Sequence, residues 1–182
     1  METINNRAFY LTGEIDAKSI QDINIQLLKI IKEDNKQERT LKEYKREPIE
    51  LYINSFGGSV YDAFSLIDII IHSNTPIHTI CTGYAMSAGF LIFICGAKRL
   101  MTPHATLMIH QISGGFKGKI GDIEVGLEEY QRIEKLINNL IFQRTKITPK
   151  MMEKNRKQKE EWFLNTTEAI KLYCSDEEIL EI

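Results

Sequence analysis

The order of apolar and polar positions predicts strands that alternate with helices along most of the chain. Strand-like runs begin at Ala8, Ile49 and Ile77, and each is followed by a segment with the features of a helix. Further strand signals lie at Arg99–Met101 and Thr106–Ile109. This order is typical of an α/β protein in which helices wrap a mainly parallel sheet.

Turn and capping residues predict where these elements begin and end. The first strand is expected to end at the Thr12-Gly13 turn, and Asp16, Ser59 and Asn165 stand where helix N-caps are expected. The charged segment Glu33–Pro48 is poor in large apolar residues. We expect it to form an exposed loop or an extension of the first helix.

Two further helices differ in their predicted surroundings. The segment Ser87–Ile94 is almost wholly apolar and predicts a short helix that is buried on all sides. From Asp122 to about Lys146, apolar residues recur every three or four positions, which gives a helix of roughly 35–40 Å at 1.5 Å per residue. It either packs on its own sheet or projects to contact another subunit, and the pattern favours neither.

Composition narrows the class of protein. The 182 residues fit one domain, and the net charge of −2 with a pI near 6.1 argues against a broad surface for nucleic acid. The longest apolar run, Phe90–Cys95, is too short to span a bilayer. Three cysteines without metal-ligand spacing, together with the lack of an export signal, favour a cytoplasmic protein with reduced thiols and no metal.

Two small-residue turns could carry chemistry. Ser87 lies among small residues between Gly83 and Gly89, where a sharp turn could expose a nucleophilic hydroxyl, as in a nucleophile elbow. It could equally be the N-cap of a buried helix, and this segment taken alone favours the cap. Gly57-Gly58 could present N–H groups to an anion or could simply join a strand to a helix.

A serine nucleophile needs a base, and the base needs an orienting group. Four histidines are available, and His110 ends a predicted strand before a glycine-rich segment, but spacing does not choose among them. The carboxylates Glu160 and Glu161 precede the apolar cluster Trp162–Leu164, where one of them could be shielded.

Together these segments resemble the proteolytic subunit of the Clp protease, the ClpP family, over about Phe9–Ile179. The markers are Leu51–Ser55 with Gly57–Val60, Gly83–Ser87, Pro103, Met108–Gln111 with Gly114, Gly115 and Gly118, and Phe163-Leu164 with Glu168, Ala169 and Asp176. The block around Ser87 and the Ile-His-Gln triplet form a specific combination.

The resemblance implies one domain with the crotonase-like ClpP fold: layered, mostly parallel sheets wrapped by helices, with a protruding handle helix. The head would comprise about residues 1–111 and 148–182, and the handle about 112–147. It also implies a homo-oligomer of two stacked heptameric rings around a chamber. Unfolded polypeptides would be cleaved there, fed by a Clp-class ATPase, and the hydrolysis itself would need no cofactor.

The same resemblance assigns the site residues. Ser87 becomes the nucleophile and His110 the general base, while the N–H groups of Gly58 and Ala88 form the oxyanion hole. An extended peptide would pair with segments that include Gly57, Ser59, Val60, Ile112, Ser113 and Gly114.

The chain departs from the family pattern at several positions. Phe56 stands where proline is usual, and Glu161 aligns with the catalytic aspartate, with Glu160 as the second candidate. A glutamate carries one more methylene but can still orient an imidazole. The longer segment Glu33–Arg46, and Tyr173 in place of a glycine, resemble Clp-like proteases of bacteriophages.

Three other functions share this fold. One is a catalytically silent ring subunit, a second is a phage capsid-maturation protease without an ATPase, and a third is a crotonase-type acyl-CoA enzyme. Retention of both Ser87 and His110 argues against the first, and the Gly-x-Ala-x-Ser turn argues against the third.

Overall fold

The computed structural model describes residues 7–158 and 161–181. The strands are β1 (Ala8–Ile15), β2 (Ile49–Gly58), β3 (Ile77–Met86), β4 (Lys98–Met101), β5 (Thr106–Ile109), β6 (Trp162–Asn165) and β7 (Glu177–Glu178). The helices are α1 (Ala17–Thr40), α2 (Val60–His72), α3 (Ala88–Phe93), α4 (Ile120–Arg144), α5 (Pro149–Gln158) and α6 (Thr166–Lys171). The predicted α/β class is confirmed.

The strands form one mainly parallel sheet in the order β1-β2-β3-β4-β7. The long strand β3 changes its neighbour along its length: His78–Cys81 pairs with β4, whereas Tyr84–Met86 pairs with β5. The strand β6 adds to β5 in the antiparallel direction. The carboxyl ends of β3 and β5 therefore lie side by side, and this is where the predicted nucleophile and base follow.

The core lies between the sheet and the helices α1, α2 and α3. Fully buried side chains include Leu11, Leu27, Leu51, Leu66 and Phe90. Every residue of α3 is buried, as its wholly apolar sequence predicts. Because α3 is packed on all sides, it holds the preceding residue, Ser87, in a fixed position.

The predicted caps of three helices are confirmed. Asp16 forms a reciprocal capping box with Ser19, and Asn165 forms another with Glu168. The side chain of Ser59 accepts a hydrogen bond from the Asp62 N–H at the start of α2. These side chains fix the entries into α1, α2 and α6.

The prediction that the first strand ends at Thr12-Gly13 is wrong. The strand continues to Ile15 through a bulge at Gly13, whose φ of 79° is accessible to glycine without strain. Ser55 Oγ donates to the Gly13 carbonyl at 2.5 Å, and the Ser59 N–H donates to the Ile15 carbonyl at 2.8 Å. The extended strand thus supports the Gly57-Gly58 turn.

The charged segment after Glu33 forms an extension of α1 up to Thr40 and then a loop. Asp34 explains why the extension is helical, because its buried carboxylate accepts hydrogen bonds from Arg7, Tyr44 and Thr75. Sequence patterns showed only the charge of this segment. The contacts of Asp34 join residues far apart in the sequence, so they could not be inferred from the charge of this segment.

The long helix α4 differs between its two halves. Its second half packs on the rest of the chain through the buried residues Ile133 and Ile141. Its first half exposes Ile120, Val125 and Leu127. No helix within residues 7–158 and 161–181 is long and apolar enough to cross a membrane.

Candidate active site

Ser87 occupies a strained turn between β3 and α3. Its φ of 53° and ψ of −120° lie in a region that residues with a side chain rarely adopt, at a cost of roughly 1–3 kcal/mol. Its N–H donates to the Met108 carbonyl at 2.9 Å, which ties the turn to β5. Ser87 stands at the N-cap position of α3, but its side chain makes no capping hydrogen bond, so capping does not explain a serine here.

His110 follows β5 and faces Ser87. The distance between Ser87 Oγ and His110 Nε2 is 2.7 Å, and both residues are half-buried. The parallel pairing of Met86 with Met108 brings the two residues together, since each follows one of these strands closely. A hydroxyl bonded to an imidazole nitrogen has the arrangement needed for proton transfer.

The other three histidines lie elsewhere. The His72 ring bonds the Asp68 carbonyl at the end of α2, at 2.8 Å, and His104 is exposed in a turn. His78 is half-buried near the start of β3, where burial and then the charge of Lys98 lower its pKa. The structure therefore distinguishes His110 from the other histidines, which residue spacing could not do.

Gly57 and Gly58 lie directly beside Ser87. A Cβ on Gly57 would come within 2.8 Å of both the Ser87 Cβ and the Met86 carbonyl, and one on Gly58 would collide with the backbone of Ile15. Their φ values are 105° and 148°. Only glycine satisfies both the conformation and the space at these two positions.

A small cavity of about 80 Å³ joins these groups. Its lining includes Ser87 and His110, with Gly58 and Ala88 beside them. As the first residue of α3, Ala88 has no intrahelical acceptor for its N–H. The cavity thus brings together a hydroxyl, an imidazole and the two residues whose N–H groups were expected to bind an oxyanion.

The residues expected to bind substrate are distributed around this cavity. Val60, Ile112 and Ser113 line it, together with the apolar Leu91 and Ile141. Gly57 is buried behind Ser87, while Ser59 caps α2. Gly114 is exposed and packs against the ring of Tyr130.

His110 also lines a second cavity, of about 240 Å³. Glu161 lines it but is exposed, so the expected shielding is not found at this carboxylate. In the described part of the chain Glu161 makes no hydrogen bond and no ion pair, and no hydrogen bond joins a carboxylate to His110. Glu134 and Arg156 also line this cavity and form an ion pair with each other at 2.5 Å. Glu160, the other candidate, lies outside the described residues.

Comparison with known proteins identifies the family. The model of the Clp protease family matches residues 1–176. The chain is also 31% identical over 168 residues to ATP-dependent Clp protease proteolytic subunit 1 of Shouchella clausii (strain KSM-K16). This alignment covers 91% of the chain and 81% of the relative.

The chain belongs to the Clp protease family. The resemblance inferred from the motifs is therefore confirmed, and family membership makes the function that of a peptidase. Among residues 7–158 and 161–181, no cluster of histidine, cysteine and acidic side chains could hold a metal ion.

Sequence reasoning missed two contacts near the site of this Clp family member. Phe56, noted only as a departure from proline, stacks on Tyr84 with ring centroids 4.1 Å apart. The pair of Glu134 and Arg156 was not singled out at all. Glu134 and Arg156 each belong to a helix rich in charged residues, so no local signal distinguishes them from solvated side chains.

Proposed function

We propose that the protein is a serine endopeptidase in which Ser87 is the nucleophile and His110 the general base. The supporting observation is the 2.7 Å hydrogen bond between Ser87 Oγ and His110 Nε2, at the wall of a cavity that a substrate carbonyl could enter. His110 accepts the serine proton as Oγ attacks the scissile carbonyl. It then returns the proton to the leaving amine.

The N–H groups of Gly58 and Ala88 stabilise the negative charge that forms on the carbonyl oxygen. Both residues line the cavity beside Ser87, and both backbones are held rigidly, Gly58 against Ile15 and Ala88 in the buried helix α3. Donors that are already in position need no reorganisation as the charge develops. The peptide on either side of the scissile bond pairs with segments that include Gly57, Ser59, Val60, Ile112, Ser113 and Gly114.

Glu161 completes the triad by orienting His110. His110 and Glu161 line the same cavity, which supports this role, because Nε2 is bonded to Ser87 and the other ring nitrogen is left for an acceptor. The extra methylene of glutamate relative to aspartate gives Glu161 the reach to move toward His110. A Ser-His-Glu triad is an established variant of this arrangement.

The substrates are unfolded polypeptides, cleaved inside a chamber formed by stacked rings of this chain. The exposed apolar residues in the first half of α4 support a handle of about residues 112–147 that joins two rings, with the head formed by 1–111 and 148–182. The expected partner is a Clp-class ATPase. Sedimentation of the purified protein should therefore give a large ring assembly, and a strict monomer would contradict this proposal.

A fluorophosphonate probe tests the nucleophile directly, because it reacts with activated serines. We expect one adduct, located at Ser87 by peptide mass spectrometry, and no adduct in Ser87→Ala. The matched control is Ser65→Ala, at an exposed position of α2, which should label normally. Labelling that survives Ser87→Ala would reject the assignment, and absence of labelling in the wild type would favour a silent ring subunit.

Glu161→Gln tests the third role, because it removes the charge and preserves the shape. Loss of the orienting carboxylate costs on the order of 10⁴ in kcat in a well-studied triad. We expect acylation to slow by orders of magnitude with KM little changed. Unchanged kinetics would assign the role to another group, with Glu160 the first to substitute.

A further inference from the structure

Among the described residues, one arginine and two carboxylates line the larger cavity together with His110. The cation is Arg156 on α5, and the carboxylates are Glu134 on α4 and Glu161 before β6. His110 lines both this cavity and the one that holds Ser87. A change in the pairing of these charges therefore reaches the catalytic base directly.

Of the two described carboxylates that line this cavity, Arg156 binds one. Its Nη2 donates to Glu134 Oε1 at 2.5 Å, while within the described residues Glu161 has no ion pair. Glu134 is the better shielded member of the pair, with its side chain 20% exposed against 43% for Arg156. A guanidinium paired with a partly buried carboxylate gains more than one paired with a carboxylate in open solvent.

The alternative pairing would disable the site. If Arg156 bonded Glu161, both oxygens of that carboxylate could be engaged by the guanidinium fork, and Glu161 would be held away from the imidazole. Its negative charge would also be compensated by an arginine before it could stabilise the imidazolium that forms during the reaction. Without another partner, Arg156 would therefore interfere with the proposed triad.

We propose that Glu134 is a positioning residue that sequesters Arg156 and so leaves Glu161 free to orient His110. This inference rests on the proposed role of Glu161. Glu134 does not line the cavity that holds Ser87. It acts only by binding the guanidinium that would otherwise compete with the imidazole for the same carboxylate.

The test is a rescue experiment on the assembled protein, with kcat and KM measured on a fluorogenic peptide. Glu134→Gln keeps the side-chain shape and removes the charge, so Arg156 is released. We expect kcat to fall by roughly tenfold or more, less than the loss of about 10⁴ for a missing orienting group, with KM little changed. The second substitution Arg156→Gln, added to Glu134→Gln, should restore kcat to within about threefold of the wild type.

Rescue distinguishes this role from a structural one. If Glu134 merely joined α4 to α5, removal of Arg156 as well would leave that contact broken and kcat would stay low. The single variant Arg156→Gln is a second, independent test. It should keep the wild-type kcat, because the guanidinium that could compete with His110 for Glu161 is gone. A tenfold loss in that single variant, a Glu134→Gln protein with full activity, or a double variant without recovery would each overturn the inference.

A matched control uses the other ion pair of α5. Glu153 and Lys157 pair in the same helix at 2.7 Å, are both well exposed and line neither cavity. Glu153→Gln, with and without Lys157→Gln, makes the same changes of charge and should leave kcat unchanged. If these variants lose activity like Glu134→Gln, the effect comes from net charge and the inference fails.

Two readouts separate this inference from the proposed function. Absence of fluorophosphonate labelling of the wild-type protein would reject the serine endopeptidase itself. Normal labelling at Ser87, together with a large effect of Glu161→Gln but none of Glu134→Gln, would reject only the role of Glu134. Normal labelling with no effect of Glu161→Gln would reject the role of Glu161 and this inference with it.

Discussion

Gly57 touches Ser87 so closely that no other residue fits at position 57. A Cβ there would stand 2.8 Å from the Ser87 Cβ and 3.0 Å from the Ala88 nitrogen. The φ of 105° at Gly57 adds a conformational barrier to the steric one. The turn that carries Ser87 and the turn that precedes α2 are therefore one packed unit, although they lie far apart along the chain.

We expect Gly57→Ala to reduce kcat/KM by about 10² or more, because a shift of roughly 1 Å in a catalytic group has that effect. Fluorophosphonate labelling should slow in proportion. Gly121→Ala is the control: nothing lies within 4 Å of its added Cβ, and it should leave both measurements unchanged. A Gly57→Ala protein with normal kinetics would show that the turn relaxes without moving Ser87.

Asp34 should make the free energy of unfolding depend on pH. Its burial acts to raise the pKa, but hydrogen bonds from Tyr44, Thr75 and Arg7 prevail and hold the pKa below its ordinary value of 3.8. The unfolded state therefore takes up the proton more readily. The stabilisation from Asp34 is fully present above pH 3.8 and is lost as the pH falls through the lower folded-state value.

The measurement is urea unfolding of the wild type and Asp34→Asn between pH 2 and 7. At neutral pH we expect the variant to be less stable by about 3–5 kcal/mol, since it removes the carboxylate from a largely buried ion pair. The difference should narrow toward pH 2. Asp22→Asn, at an exposed position, should follow the wild type, and a constant Asp34→Asn difference across the range would contradict the linkage.

At position 173 we expect glycine to give a more stable protein than alanine, which is the reverse of the usual order. The φ of 58° at Tyr173 is left-handed, and the Tyr173 ring contacts the Arg99 guanidinium 4.6 Å from the ring centroid. Alanine and glycine both remove the ring, but only glycine also removes the backbone strain of roughly 1–2 kcal/mol. We expect Tyr173→Gly to be more stable than Tyr173→Ala by about 1 kcal/mol in urea unfolding.

Glu128 provides the opposite comparison, because it is exposed within α4. There, alanine should be more stable than glycine by about 1 kcal/mol. If alanine were the better residue at both positions, the left-handed conformation at Tyr173 would not be the native one.

The three cysteines should be unreactive in the folded protein. Cys81, Cys95 and Cys174 are all buried, and burial raises the pKa of each thiol to about 12. Reactivity requires an accessible thiolate. We expect no carbamidomethylation by iodoacetamide at pH 8 in the native state and three additions after unfolding, counted by intact-protein mass spectrometry.

Native labelling of any one cysteine would place that residue at an open site. Cooperative urea unfolding of the same preparation shows that the protein under test is folded.

Much of the fold was readable from the sequence because the signals were local. Strand β5 and the caps Asp16, Ser59 and Asn165 follow directly from apolar spacing and capping chemistry. Strand β6 was missed because its four residues pair with β5 across a long separation in sequence. The extension of α1 past Glu33 was left open because it depends on the contacts of Asp34.

The candidate site likewise contains residues that the sequence could identify and contacts that it could not. Ser87 and His110 became assignable through family resemblance, whereas the residues alone left Ser87 as a cap and four histidines as equals. What the sequence could not supply is the exchange of strand neighbours along β3, which brings Met86 beside Met108. The contact of Glu134 with Arg156 joins two helices, and such pairings leave no trace in local patterns.

The connections between the strands determine the order in which the sheet and the site can form. β1 cannot pair with β2 until α1 has crossed over, and His110 cannot meet Ser87 until β5 has been added. A nascent chain emerging from the ribosome would thus carry its serine for some time without the imidazole beside it. On the proposed function, the activity would therefore arise only after β5 has joined β3.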